Sequence, residues 1–236
     1  MSLDGVFLPS RDNGRTLADR AYGQIHEAIV SGRLMPGDRL PIEGLAERLD
    51  MSPMPIREAL RKLHGVGLVE NVPHRGAAVT ELSLGDLRSL YESRLALEPL
   101  AIRCAAERRT EDDLGRIRDA YAALEAGRQQ DPGSGWSAHR DFHFAIYAAA
   151  HSEWLIRLIT PVWESSGRYR GATQVRWSLV RRAHEHQALL EAITAGDAPA
   201  AADLLHDHLA ITANEVAAEM GEEALFELLQ PPAPAL

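Results

Sequence analysis

The amino-acid sequence predicts a mostly α-helical protein in which three helices and a β-hairpin precede a purely helical bundle. Three short amphipathic segments and two β-prone runs fall within the first 80 residues, and no strand pattern follows Ser83. The charged residues are also distributed differently between these two parts of the sequence. Residues 1–80 hold ten basic and ten acidic side chains, whereas residues 81–236 hold fifteen and twenty-four, so the whole net charge of −9 lies behind residue 80. We therefore expect two functional units, the first of which is free to present a basic face to phosphate.

The first unit follows the order helix, helix, helix, hairpin. Apolar spacing predicts helices at 17–30 and 42–49, separated by the turn-rich stretch GRLMPGDRLP. After the third helix, the runs LVENV and GAAVT flank Pro73-His74-Arg75 and predict the hairpin. This order is that of a winged helix-turn-helix, which we place at residues 12–80.

The third predicted helix lies in MSPMPIREALRKL, residues 51–63, and starts abruptly. Ser52 can cap it, Pro53 suits the first helical position, and Pro55 still lies within the first turn. The spacing predicts a buried stripe of Ile56, Ala59, Leu60 and Leu63 and leaves, on the other faces, Arg57, Glu58, Arg61 and Lys62. Taken alone, this pattern also fits an ordinary surface helix.

The second unit is predicted to be all-helical and to span residues 83–220, with a tail at 221–236. Five or six helices are expected, at roughly 84–109, 110–128, 137–150, 153–170, 174–195 and 199–220. Thr110 with Asp113 three residues later forms a capping box at the start of the second of them.

Composition narrows the functional class. The single cysteine, Cys104, excludes a disulfide framework and a multi-cysteine zinc site. The N-terminus lacks a basic region followed by an apolar run, and no stretch reaches the roughly 18 apolar residues of a membrane span. We therefore expect a cytoplasmic protein without a membrane partner.

In their order, the motifs of the first unit resemble those of the GntR family of bacterial transcription regulators, in the FadR/VanR-like branch with a C-terminal all-helical FCD effector domain. The likeness extends over residues 16–215 and rests on Ile29-Val-Ser-Gly32, Leu34-Met-Pro-Gly37, Leu45-Ala46, Ser52-x-x-Pro55-Ile56-Arg57-Glu58-Ala59-Leu60, Gly67-Leu68-Val69 and Arg75-Gly76. It implies a homodimeric, metabolite-responsive transcription regulator, here expected to be a repressor, that binds double-stranded DNA at a short palindromic operator.

The resemblance also implies which residues meet DNA. Arg57 is expected to read a base edge, because a guanidinium can form two hydrogen bonds with guanine. Phosphates are expected to be held by Ser52, Arg61 and Lys62, and the wing tip is expected to be formed by His74, Arg75 and Gly76. Met54, at the start of the helix, also belongs to the expected interface. One departure is Pro53, which stands where the family usually has arginine.

Histidines are concentrated in the second unit, where seven of the ten lie between positions 139 and 208. His139 and His143 are four residues apart and share one helical face. His186 and His208 each interrupt an apolar stripe on a later helix. Because three helices offer imidazoles inward, we predict a metal centre inside the bundle. Histidines hydrogen-bonded in a core without metal are the alternative.

The FCD resemblance sharpens this prediction. Many members bind a divalent metal through an aspartate, a histidine four residues later and two further histidines, and the three histidines correspond here to His143, His186 and His208. His139 occupies the aspartate position. An imidazole in place of a carboxylate favours zinc or nickel over magnesium or calcium.

Arg94 lies in ESRLALE, a pattern similar to the family's E-x-R-x-x-x-E. Together with Tyr147, which shares the face of His143, it is the expected binding site for a small carboxylate effector. The alternative for Arg94 is an ion pair with Glu98 one helical turn later.

Two other functions use the same histidine cluster. A helical-bundle metalloenzyme would need an acid beside the ion, but no H-E-x-x-H motif occurs, and Glu185 is expected to point away from the site because it directly precedes His186. A metal sensor would differ only in that the ion itself is the signal.

Overall fold

The computed structural model describes residues 16–73, 76–130, 136–173 and 179–229. Within them it confirms the predicted fold class, a mostly helical chain with one antiparallel hairpin near its start. Its elements are α1 (Leu17–Val30), α2 (Ile42–Arg48), α3 (Pro53–Gly65), β1 (Val69–Val72), β2 (Gly76–Val79), α4 (Leu84–Arg108), α5 (Glu111–Gln130), α6 (Trp136–Ala148), α7 (Glu153–Ala172), α8 (Leu179–Ala195) and α9 (Ala198–Glu219). None of the helices in these ranges is long and apolar enough to cross a membrane.

The chain forms two compact units, and the first contains Met1–Leu87 together with Pro161–Gln174. Its core lies between α1 and α3, where the predicted stripe Ile56, Ala59, Leu60 and Leu63 is buried against Ile25 and its neighbours on α1. Thr16 caps α1 by accepting a hydrogen bond from the Asp19 backbone N–H at 3.1 Å. Pro53 stands at the start of α3, as its fixed φ favours.

The hairpin pairs β1 with β2 in antiparallel register, from Val69 opposite Val79 to Val72 opposite Gly76. The other edge of β2 pairs with the segment before α2 through an isolated bridge between Arg39 and Ala78. This third segment satisfies backbone groups that a two-stranded ribbon would expose and attaches the wing to the helices.

The C-terminal half of α7 belongs to the first unit, because residues from Pro161 onward pack there. A Cβ added to Gly171 would lie 2.6 Å from the Ile29 carbonyl oxygen and 2.8 Å from the Gly32 nitrogen, so only glycine allows this close backbone approach at the end of α1. The Tyr169 hydroxyl donates to Asp86 at 2.6 Å, just after the hairpin.

The second unit, Arg88–Thr160 with Val175–Leu236, is a helical bundle. Pairs of helices pack as α5 with α6, α8 with α9 and α5 with α8. The capping box is confirmed, because the Thr110 backbone N–H donates to Asp113 at 2.8 Å and the Asp113 backbone N–H donates to the Thr110 hydroxyl at 3.2 Å.

The segment that follows α9 is held against the bundle as far as Leu229. The Asn214 side chain accepts hydrogen bonds from the backbone N–H groups of Leu225 and Phe226 and donates to the Phe226 carbonyl. Asp207 accepts from the Leu229 backbone N–H at 2.7 Å. The first part of the predicted tail is therefore attached to α9 by side chains of that helix.

Candidate metal centre and nucleic-acid interface

The four histidines predicted as metal ligands meet inside the second unit. His139 and His143 come from α6, His186 from α8 and His208 from α9, and one ring nitrogen of each lies within 4.8 Å of one nitrogen of each of the others. All four are buried, with His143 and His186 fully inaccessible. Periodicity placed each imidazole on the inward face of its helix, and packing of the three helices brings them together.

Two consecutive hydrogen bonds, from His143 to Tyr147 and from Tyr147 to Glu98, determine which nitrogen of His143 carries the proton. The Tyr147 hydroxyl donates its only proton to Glu98 at 2.6 Å, so its oxygen can only accept from His143 Nδ1, which lies 3.2 Å away. Burial and the Glu98 charge raise the pKa of Tyr147 well above its ordinary value of 10.0, so the hydroxyl keeps that proton. His143 Nε2 is then left with its lone pair, 3.1 Å from His186 Nε2.

Arg94 extends this series of hydrogen bonds beyond Glu98. Its guanidinium donates to both oxygens of Glu98, at 2.6 and 3.2 Å, and both side chains are buried. Arg94, Glu98 and Tyr147 thus form one network that ends on a candidate ligand. The ion pair that was the alternative for Arg94 is present, and it stands directly behind the predicted metal site.

His208 has a carboxylate partner of its own. Its Nδ1 lies 2.7 Å from Glu185 Oε2, so Nδ1 carries the proton and Nε2 carries the lone pair. The expectation that Glu185 points away from the site was therefore wrong in part. The Glu185 carboxylate is not one of the candidate metal ligands, but it contacts the ring of one of them, His208. Helical spacing separates Glu185 from His186 on α8 and says nothing about a ring on α9.

Burial favours the uncharged form of two of the imidazoles, His143 and His208. It is the main reason that the pKa of His143 lies well below its ordinary value of 6.5, and the charges of His208, Arg94 and Arg182 lower the pKa further. Burial also lowers the pKa of His208, although the hydrogen bond with Glu185 opposes this shift. Near pH 7 both rings are neutral, which is the form that binds a metal ion.

This donor set fits a divalent ion of the zinc or nickel type. A tetrahedral zinc with ligand nitrogens about 2.0–2.1 Å away holds those nitrogens about 3.3–3.4 Å apart. The His143–His186 separation of 3.1 Å is already close to that, and no pair in the cluster, all within 4.8 Å, has to approach by more than roughly 1.4 Å. Imidazoles without a carboxylate are poor ligands for magnesium or calcium.

The depressed pKa values of His143 and His208 predict that the metal-free protein loses stability in acid. Unfolding returns each pKa toward 6.5, so the unfolded chain binds more protons below that pH. Above pH 6.5 the two neutral rings make their full contribution to the free energy of unfolding. As the pH falls toward the folded-state pKa, the free energy of unfolding decreases by up to about 1.4 kcal/mol per pH unit for each ring.

Denaturant titrations in chelator at pH 8, 7, 6 and 5 measure this loss. His208→Phe, which removes one of the two groups, should retain a shallower pH dependence than the wild-type protein. A free energy of unfolding that stays constant between pH 7 and 5 would contradict the prediction.

The basic face of α3 is exposed as predicted from its periodicity. Arg57 and Arg61 are exposed, and Met54 is 72% exposed at the start of the helix. Ser52 is the N-cap residue, but its side chain makes no capping hydrogen bond. His74 and Arg75 lie outside the described residues, and Gly76 opens β2 with φ of +79°, a conformation that favours glycine.

Lys62 differs from its neighbours because it is paired. Its ammonium group donates to Asp19 at 2.7 Å, across to the first turn of α1, and lies 3.7 Å from Glu58. The hydrogen bond to Lys62 is the main cause that lowers the pKa of Asp19. Lys62 therefore links α3 to α1. To contact a phosphate, its ammonium group must first leave Asp19.

We predict that Asp19→Asn increases DNA affinity, because it releases Lys62 and removes an anion from the same surface. Binding should tighten roughly two- to tenfold, with a steeper dependence on salt concentration. Fluorescence anisotropy at several salt concentrations measures both quantities. In a Lys62→Ala background the same substitution should have a smaller effect; an equal effect in both backgrounds would show that Lys62 is not involved.

The winged helix-turn-helix with an exposed basic α3, followed by a helical bundle with a buried histidine cluster, defines a class: DNA-binding transcription regulators with a separate C-terminal domain. Comparisons with known proteins agree. The profile described as "Bacterial regulatory proteins, gntR family" matches residues 17–79, and the FCD domain profile matches residues 89–211. The chain belongs to the GntR family of bacterial regulatory proteins, and its C-terminal part is an FCD domain.

Relatives support this membership. The HTH-type transcriptional regulator BphR of Paraburkholderia xenovorans (strain LB400) is 34% identical over 205 residues, which cover 84% of each chain. The HTH-type transcriptional regulator LutR of Bacillus subtilis (strain 168) is 32% identical over 203 residues, covering 77% of this chain and 92% of LutR. The structure of E. coli McbR/YncC has the same fold, with a TM-score of 0.75 at 24% identity over 87% of this chain and 99% of that one. These relatives are transcription regulators rather than enzymes.

Sequence reasoning missed Glu98 as a shared acceptor, Glu185 as the partner of His208, and the buried Arg182. A signal existed for Arg182, since it lies four residues before His186 and therefore on the same face of α8. No comparable signal existed for Glu185, whose contact is with a different helix.

Proposed function

We propose that this protein is a homodimeric repressor whose affinity for a short palindromic operator is controlled by a small organic acid bound beside a divalent metal ion in the FCD domain. The convergence of four buried imidazoles with the Arg94–Glu98–Tyr147 network is the observation that carries this proposal. His139, His143, His186 and His208 hold the ion, and zinc or nickel suits them best. An ion held by these four imidazoles would accept oxygen atoms of an effector by expanding its coordination beyond four ligands.

The charges around the cluster favour an anionic effector. On the helices that carry the cluster and on α4, three guanidinium groups are matched by three carboxylates, in the pairs Arg94–Glu98, Arg181–Glu185 and Arg182–Glu215. Imidazoles bind an ion in their uncharged form, so a divalent ion brings a positive charge that these side chains do not balance. An organic acid would supply the missing negative charge in a site where burial makes charge imbalance costly.

Arg94 and Tyr147 are the proposed contacts for that acid. Because Arg94 already bonds both oxygens of Glu98, an effector carboxylate would share the guanidinium with Glu98. Arg182, which is buried on the same face of α8 as His186, adds a second positive group on that side. This sharing gives the effector a way to loosen or tighten the network that links α4 to α6.

On DNA, each protomer reads one half-site. Arg57 contacts a guanine, Met54 lies beside it at the start of α3, and Arg61 with Ser52 holds phosphates. Lys62 joins the phosphate contacts once Asp19 releases it, while His74, Arg75 and Gly76 form the wing tip near the minor groove. The proposed bounds of the two domains, 12–80 and 83–220, enclose the stretches that the family profiles match.

The control step follows from linkage. An effector changes DNA affinity only if it binds more tightly to one arrangement of the two readers than to the other, and a coupling of about 1–3 kcal/mol gives a 5- to 150-fold change. In the form we propose, the effector binds more tightly to the arrangement that has the lower DNA affinity, so that its binding relieves repression.

The test combines operator selection with ligand screening. Random DNA is enriched on the zinc-loaded protein, the enriched palindrome is footprinted, and carboxylic acids are screened by thermal shift and then added to the binding assay. We expect protection of a palindrome that at least one acid relieves, in zinc-loaded protein only. If zinc alone changes DNA affinity and no acid adds to it, the ion is the signal; if no palindrome is enriched, the proposal fails.

A further inference from the structure

Glu185 occupies a position that neither the metal ligands nor the DNA interface explains. It directly precedes His186 on α8, yet its carboxylate lies 2.7 Å from Nδ1 of His208 on α9. The His208 side chain is 3% exposed and that of Glu185 is 19% exposed. The contact therefore joins two neighbouring helices of the bundle at the edge of the histidine cluster.

Helix geometry separates the tasks of these two adjacent residues. Successive side chains point about 100° apart around a helix, so His186 is directed into the cluster while Glu185 is directed toward α9. The carboxylate consequently stands behind the His208 ring, on the side opposite the lone pair of Nε2. It is placed to act on an ion through His208 and not to bind the ion itself.

The position of Glu185 is set by a salt-bridge network. Arg181, one turn earlier on α8, forms an ion pair with Glu185, with Nε 3.2 Å from Oε1, and also pairs with Glu215 on α9. Arg182 lies 3.7 Å from Glu215 and donates to the Thr212 hydroxyl at 3.2 Å, and that hydroxyl donates to the His208 carbonyl oxygen. The two helices are thus tied together around His208, and Glu185 is held beside its ring.

We propose that Glu185 is a positioning residue for the metal centre: it fixes the His208 ring with Nε2 toward the cluster and, through its charged carboxylate, makes that nitrogen a stronger donor. This inference rests on the proposed metal site. A carboxylate that accepts from the far nitrogen of a ligating histidine sets the ring orientation and makes the other nitrogen a better donor. In this protein, where His139 stands in place of a carboxylate ligand, Glu185 places a carboxylate behind one of the ligands.

The substitution Glu185→Gln tests this role, because the amide oxygen can still accept from His208 Nδ1 while the charge is lost. We expect the dissociation constant for zinc to rise about 10- to 100-fold, measured by competition with a chromophoric chelator on the full-length protein. The visible d–d absorption of the cobalt(II) form should shift as the donor strength of His208 falls. Glu185→Leu, which also removes the hydrogen bond, should weaken binding further.

Glu191→Gln is the matched control, since Glu191 lies on the same helix, is exposed and contacts only Gln187 among the hydrogen bonds found in the described residues. It should leave both the zinc affinity and the cobalt spectrum unchanged. A purely structural role for Glu185 would lower the melting temperature of the metal-free protein without moving the cobalt spectrum.

The outcomes separate the two proposals. Wild-type protein that binds neither zinc nor cobalt overturns the metal site itself. Wild-type protein that binds both, with Glu185→Gln binding equally well and showing the same spectrum, overturns the role of Glu185 alone. Should Glu185→Gln fold poorly, Glu185→Asp keeps the charge and shortens its reach, and an unchanged cobalt spectrum in that variant also counts against the inference.

Discussion

Replacing His186 by leucine is expected to weaken zinc binding by at least about 100-fold. His186 is fully buried at the centre of the cluster, and its Nε2 lies 3.1 Å from that of His143. Leucine fills most of the same volume but offers no lone pair, so one of the proposed ligands is lost without a large cavity. The wild-type protein should gain about 2.7 kcal/mol of stability at a zinc concentration 100 times its dissociation constant, and the variant should gain almost none at that concentration.

Calorimetric titration and melting curves with and without zinc measure this effect. His184→Leu is the control, because His184 is exposed two residues earlier on the same helix and is expected to leave zinc binding unchanged. Metal-free stability of His186→Leu should stay within about 1–2 kcal/mol of wild type. Equal zinc affinity in His186→Leu and wild type would remove His186 from the site.

The second large effect is expected at the DNA interface, where Arg57→Ala should strongly reduce operator specificity. Arg57 is exposed on α3 outside the buried stripe, and it is absent from the ion pairs found in the described residues. Loss of a bidentate contact with guanine costs about 1–3 kcal/mol per half-site, so a dimer on a palindrome loses about 2–6 kcal/mol. Affinity for random DNA should fall far less.

Arg61→Ala separates base reading from phosphate contact on the same helix. It should weaken binding to specific and random DNA by similar factors and lower the salt dependence by about one ion per protomer. Both variants should melt like the wild-type protein, since neither side chain is buried. If Arg57→Ala and Arg61→Ala weaken specific and random binding in the same proportion, Arg57 is not the base reader.

Local patterns along the chain were sufficient to predict much of the DNA-binding unit. The proline at the start of α3, the apolar spacing behind it and the turn residues between β1 and β2 are short-range signals, and the elements they predict lie where expected. Short-range patterns did not reveal that Lys62 is held by Asp19, 43 residues earlier, because the register of α3 against α1 decides which exposed charges meet.

The same division applies to the histidine cluster. Helical periodicity by itself determined that His139, His143, His186 and His208 face inward, since a residue's own helix defines its face. Only the tertiary structure decided that Glu185 reaches His208, that Tyr147 joins His143 to Glu98, and that the second half of α7 packs with the first unit through Gly171. Each of these contacts joins residues from different elements, and their distances depend on how close and at what offset two elements pack, which no pattern within one element specifies.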